Sequence, residues 1–467
     1  MTGSAKYLPK RLAMSAAIVL GMGMTAWTAS AETLTDALIA AYRNSNLLEQ
    51  NRAVLRAADE DVAVAVSTLR PVISFLTQGQ YGYAQFLDTF DNVASAEEWS
   101  GFYALSAQMT LYDFGRTKLA IEATKEVVLA TREALLQVEQ QVLLAAVVAY
   151  VDVRLREAFV DLRQNNVRVI GEQLKAAQDR FDVGEVTRTD VAQAEARLAQ
   201  ANSNLIVAEG ELQIAREAYR AATGAYPGNL APLPPLPATA SSLEAARSVA
   251  LRTHPAIRQA QRQVSAADLN VARAKADMRP TIGGEAQLQV DDGGLQQNGV
   301  GINFSQTLYA GGRLAALVRQ AMANRDSAYS NLQQSGVIIG ENVGVAWTTI
   351  DSAVAAISAT ETQIEAAQIA FDGVSEEASL GARTTLDVLD AEQDLLDARA
   401  AKLEAEAARY KGVYQLLASM GLLTVEHLRL GIPTYDPAVY YNAVRNAPAH
   451  SAQGKKLDRI MKSIGKN

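Results

Sequence analysis

The chain has 467 residues with 51 acidic and 43 basic side chains, and its formal net charge of -8 argues against a nucleic-acid partner, whose phosphates need a concentrated basic surface. The absence of cysteine excludes disulfides and a lipidated cysteine tether, so packing alone must hold the fold. His254, His427 and His450 are far apart and fit no metal-ligand pattern, and neither G-x-S-x-G nor a phosphate loop occurs, so enzymatic activity, a metal and a cofactor are not expected.

Residues 1–31 run from a basic start (Lys6, Lys10, Arg11) through an apolar stretch to Ala29-Ser30-Ala31, the pattern of a cleaved secretory signal with Glu32 as the mature start. No later run reaches about 18 uninterrupted apolar residues, so entry into a membrane would be by strands. A short helical segment precedes two strands, about 72–86 and 100–111. Ile73, Phe75, Tyr81 and Tyr83 mark the apolar face of the first, and Tyr103, Leu105, Ala107, Met109 and Leu111 that of the second. A loop around Asp88 to Glu98 is expected between them.

No proline occurs from Val72 to Tyr226, which leaves room for uninterrupted helix. Ile121, Val128, Leu135, Val142 and Ala149 recur every seven residues, and Val127, Ala134, Val148, Leu155, Leu162 and Val169 form a second series, the pattern of a helix packed on two sides. A helix over about 116–181 would be roughly 100 Å long. It breaks at Asp182-Val183-Gly184 and returns over about 189–223 to Gly224, a suitable C-terminal cap. A proline-rich linker, 225–242, closes this first unit, residues 32–224, and is expected to cross the outside as a fixed connection. A second unit, 243–423, repeats the order with strands about 281–291 and 299–308 and helices about 313–379 and 384–420. The tail, 424–467, is basic at Lys455, Lys456, Arg459, Lys462 and Lys466 and reads as a solvated terminus.

The two units are copies. Leu111-Tyr112-Asp113-Phe114-Gly115-Arg116 returns 197 residues later as Leu308-Tyr309-Ala310-Gly311-Gly312-Arg313, and Gly184, Asp190 and Gly224 return as Gly381, Asp387 and Gly421. Upstream, Leu34, Arg70 and Pro71 match Leu243, Arg279 and Pro280 at an offset of 209, so the first copy holds 12 extra residues after Pro71. Strands of about ten residues can cross a bilayer with tilt, or can rest as hairpins on a soluble core. Open edges are forbidden in lipid and about eight strands make the smallest usual barrel. A membrane reading of four strands therefore requires several chains to share one barrel.

These duplicated strand-to-helix junctions, with Leu380-Gly381-Ala382-Arg383-Thr384-Thr385-Leu386-Asp387-Val388-Leu389-Asp390-Ala391 and Arg180-Phe181-Asp182-Val183-Gly184, resemble the TolC family of outer-membrane efflux and secretion channels. The resemblance covers nearly all of the mature chain to about residue 430. It implies a mainly α protein with membrane β, a tandem duplicated unit of strand pair and coiled-coil helical hairpin. Three chains would form a homotrimer with a 12-stranded barrel in outer-membrane lipid and an α-helical tunnel through the periplasm. The implied partners are a periplasmic adaptor (membrane fusion protein) and an inner-membrane ABC or RND-type transporter. The tail segment Tyr435-Asp436-Pro437 with Tyr440-Tyr441 is similar to members paired with type I secretion, and drug efflux remains the other reading.

Asp387 and Asp390 share one face at the start of the returning helix, where carboxylates suit the macrodipole. The resemblance implies a second role, an acidic ring at the constricted periplasmic end that favours cations. It also implies a gate in which Arg383 reaches Thr189 and Asp190, and an adaptor contact at the tips around Gly184 and Gly381. The family archetype has a tyrosine at the position of Ala378, so one gate hydrogen bond is expected to be missing. A non-pore periplasmic coiled-coil scaffold or adhesin stays open as the alternative.

Overall fold

The computed structural model describes residues 31–87, 93–447 and Arg459. The expected export segment before Ala31, the loop residues 88–92 and most of the basic tail lie outside the described residues. Helix α1 (Leu34–Asn44) starts in a capping box, with the Thr33 hydroxyl accepting from the Asp36 N–H at 3.2 Å and the Asp36 carboxylate accepting from the Thr33 N–H at 3.0 Å. Helix α2 (Asn46–Ser67) follows at once, and Pro71 then commits the chain to an extended path.

Strands β1 (Val72–Leu87) and β2 (Val93–Tyr112) form an antiparallel hairpin. Here the structure corrects the expected loop. Residues 93–98 are strand, with Val93 opposite Leu87 and Glu98 opposite Gly82, so the extra residues of the first copy lengthen the hairpin. Glu97 and Glu98, adjacent acids, hide the alternation along the sequence, whereas cross-strand pairing such as Tyr81 on Trp99, with ring centroids 5.3 Å apart, supplies the order.

Gly115, at φ 87°, turns β2 into helix α3 (Arg116–Asp182), and Asp113 accepts from the Gly115 and Thr117 N–H groups at 3.1 and 2.7 Å. Helix α4 (Arg188–Thr223) returns along it. The second copy gives α5 (Leu243–Thr253), α6 (Pro255–Ala276), β3 (Thr281–Asp291), β4 (Gln296–Ser305), α7 (Arg313–Ser379) and α8 (Thr385–Ser419). Strand β4 begins three residues before, and ends three before, the expected 299–308, leaving Leu308 and Tyr309 exposed at the junction. Both outgoing helices have 67 residues, about 100 Å of helix.

The largest core joins α1, α3, α4, α8 and the linker, with Tyr150 and Tyr219 fully buried at its centre. Of the first apolar series on α3, Ile121, Val128, Val142 and Ala149 are buried, whereas Val127 of the second series is 47% exposed. The linker, mostly exposed, is anchored to the core at a few points. Leu230 is buried, the Tyr150 hydroxyl donates to the Ala231 carbonyl at 2.7 Å, and the Tyr410 hydroxyl donates to that of Pro234 at 2.9 Å. In the described part of the tail, α9 (Pro437–Val444) is held on α2 by the Tyr440 hydroxyl donating to Glu60 at 2.8 Å and on α3 by Arg132 over the Tyr441 ring.

Two helices, α3 and α7, carry 18-residue windows that are apolar enough on average to cross a membrane by length and composition, although neither is an uninterrupted apolar run. In α3 half of that window is buried in the protein's own core. In α7 only 17% is buried, and an apolar helix flank is left uncovered.

Candidate transport pore and gate

The four strands form one sheet in the order β1-β2-β3-β4, with β1 and β4 as open edges. Register decides what each face carries. One row aligns Ile73, Ala107, Ala286 and Val300, and the next aligns Phe75, Leu105, Leu288 and Asn298. The opposite face aligns Ser74, Ser106, Gln287 and Gly299, then Gln108, Glu285 and Gly301. The alternations written separately in four strands therefore merge into one apolar and one polar surface.

Along β2 the apolar face runs from Met109 to Trp99, which is about 34 Å of strand and about 25 Å of height at a tilt of about 40°. Aromatic pairs bracket it: Tyr81 with Trp99 at one end and Tyr112 with Phe114, 4.7 Å apart, at the other. Val300 and Ile302 are 89% and 77% exposed in the single chain. An apolar band of that height with aromatic borders suits a bilayer, and the polar face suits a water-filled interior. The strands contain Glu97, Glu98, Glu285 and Asp291 but neither lysine nor arginine.

At the far end of the helices both hairpins turn alike. Gly184 and Gly381 adopt φ of 80° and 77°, and the Glu185 and Ala382 N–H groups donate back to the Arg180 and Glu377 carbonyls, both at 2.9 Å. Each returning helix then starts in a capping box: Thr187 with Asp190 on α4, Thr384 with Asp387 on α8. Thr187 was missed in the sequence, although the duplicated T-x-x-D spacing of residues 187–190 and 384–387 signals it. Thr189 lies exposed one residue beyond the first helical position.

The expected link from Arg383 to Thr189 and Asp190 is not present within the chain. The Arg383 Nε donates to the Glu377 Oε2 at 2.8 Å, in its own turn, and that contact raises its pKa. Asp190 is engaged by the Thr187 N–H at 2.8 Å, and Asp387 by the Thr384 N–H at 2.9 Å, the latter bond holding its pKa below the usual carboxylate range. Helix capping is thus the observed role of both aspartates. Asp390 faces the other hairpin, where Arg197 Nη2 donates to its Oδ1 at 2.6 Å. The Arg180 Nη1 also joins the two hairpins, donating to the Ala378 carbonyl at 2.9 Å, a main-chain link at the position where a side-chain bond was expected to be missing.

The sequence of residues 38–225 and 246–422 matches the model of the outer membrane efflux protein family. The chain belongs to that family. It is 35% identical over 446 residues to the outer membrane efflux protein BepC of Brucella suis, covering 94% of this chain and 96% of that one. It is 28% identical over 404 residues to the outer membrane protein TolC of Escherichia coli, covering 81% and 80%. The structure of the outer membrane protein VceC from Vibrio cholerae aligns with a TM-score of 0.71 at 20% identity, covering 83% of this chain and 96% of that one. Family membership decides between the two classes left open by the sequence, in favour of an outer-membrane efflux protein.

Proposed function

We propose that three copies of this chain form a passive exit duct across the outer membrane and periplasm, serving type I protein secretion or multidrug efflux. The observation that carries this is the sheet with one continuous apolar face, two unpaired edges and a pair of 67-residue helices below it. Joining β1 of one chain to β4 of the next in a threefold ring abolishes both edges and yields a 12-stranded barrel. The same step gives a partner to the uncovered flanks: Ile206, Val207 and Ile214 on α4, and Val337, Val345 and Ile369 on α7, all exposed in the single chain.

The helical tips form the gate in this reading, with Thr189, Asp190, Arg383, Asp387 and Asp390 around the narrow end. The rounded turns at Gly184 and Gly381 offer the docking points for a periplasmic adaptor, and an inner-membrane ABC or RND-type transporter supplies the energy. Fractionation of cells and planar-bilayer recording test the proposal. Expected are a heat-sensitive trimer in the outer membrane and discrete conductance steps. A monomer in the soluble periplasmic fraction that gives no steps would overturn it.

A further inference from the structure

The tips of the two hairpins are fastened to each other inside one chain. Leu389 of α8, 2% exposed, packs against Ile170 of α3 and Ala194 and Ala201 of α4, with Leu198 beside them. The next residue, Asp390, meets Arg197, the neighbour of Leu198, at 2.6 Å. Two residues further, Glu392 is buried and accepts from the Asn166 Nδ2 at 3.3 Å. The duplication makes this contact one-directional. The repeat-2 counterpart of Arg197 is Asp394 and the repeat-1 counterpart of Asp390 is Gln193, so the opposite charges face each other only when hairpin one supplies the arginine and hairpin two the aspartate.

We propose that Arg197 is a gate residue of this channel: paired with Asp390, it latches α4 to α8 in the closed state and withdraws one carboxylate per chain from the narrow end. The inference rests on the duct reading. For the tips to spread within a chain, the pair at the rim of the Leu389 contact must part, since it bridges the two helices whose ends would separate. Both side chains are partly solvated, at 41% and 56% exposure, which suits a contact that breaks and re-forms without a large desolvation cost.

The full chain, with R197A, D390A and the exchange R197D/D390R, is recorded in planar bilayers with a salt gradient. An exposed pair shifts an equilibrium by roughly twofold, so three chains opening together are expected to open on the order of tenfold more often in either single variant, with the exchange returning toward wild type. Ion selectivity separates a charge role from a packing role. R197A frees carboxylates and raises cation preference, whereas D390A leaves uncompensated guanidinium groups and lowers it. Wild-type pores with R197A opening and selectivity unchanged, or an exchange no better than the singles, would overturn the latch while leaving the duct intact. If the wild-type chain forms no pores, the duct reading and the latch fall together.

Discussion

Replacing Leu389 with alanine probes the seam that holds hairpin two on hairpin one. The side chain is 2% exposed among Ile170, Ala194 and Ala201, with Val167, Leu174 and Leu198 packed around the same cluster. Buried leucine-to-alanine changes cost about 2–5 kcal/mol, and the cost depends on how far the site collapses. Here collapse is limited, because α3, α4 and α8 are also fixed together in the large core around Tyr150, so a value of about 3 kcal/mol is expected. The exposed Arg197–Asp390 pair is worth about 0.5 kcal/mol by comparison, so the leucine dominates this seam. Three kcal/mol is about a hundredfold in the local opening equilibrium. Proteolysis tracks the open population when reclosing is fast, so trypsin cleavage at Arg188 and Arg383 in the tips should accelerate by about two orders of magnitude. Leu389→Met, which conserves volume, should stay within about 1.5 kcal/mol of wild type. Cleavage of Leu389→Ala at the wild-type rate would refute the assignment of Leu389 to the seam.

Asp59 is buried with neither carboxylate oxygen hydrogen-bonded, and burial raises its pKa to about 6 from an ordinary 3.8. A raised folded-state pKa contributes stability that is full below about 4 and lost as pH rises through about 6; the difference amounts to roughly 3 kcal/mol. Asp59→Asn should flatten that pH dependence in urea denaturation and stabilise the protein at pH 7, and destabilisation at pH 7 would count against it. Gly421→Ala should cost about 3 kcal/mol, because its φ is 75° and a Cβ would lie 2.7 Å from the His254 Cα. Gly381→Ala, at a similar φ of 77° but with open space around it, should cost only about 1 kcal/mol, and equal thermal shifts for the two variants would contradict the clash. Ile302→Arg on the apolar face should cost about 2–4 kcal/mol and reduce recovery of membrane trimers, whereas Asn303→Arg on the polar face should assemble normally. Equal recovery of the two would reverse the facing of the sheet.

Local pattern carried most of the fold. The seven-residue series on α3, the alternation in β3 and the glycines that end the hairpins are each written in adjacent residues, because backbone geometry repeats every 3.6 or 2 residues whatever lies beyond. Where the pattern was interrupted the reading failed: Glu97 and Glu98 concealed the extension of β2 that pairing with β1 enforces. The candidate site was less legible. Asp387 and Asp390 were located at the correct turn, and Asp387 finds its partner three residues away in its own capping box, whereas the partner of Asp390 depends on how two helices more than 100 residues apart in sequence are rotated and offset.

The sequence alone thus determined the duplication, the long helical hairpins, the amphipathic strands and the position of the tips, all consequences of short-range periodicity and turn chemistry. The caps by Asp190 and Asp387 are local and their T-x-x-D spacing stands in the sequence, but only the tertiary structure decided that Arg383 turns to Glu377 and that Arg197 meets Asp390 across the seam. Charges have no period. Which of them meet is fixed by packing, here by Leu389 seated between α3 and α4, and packing is a property of the folded chain.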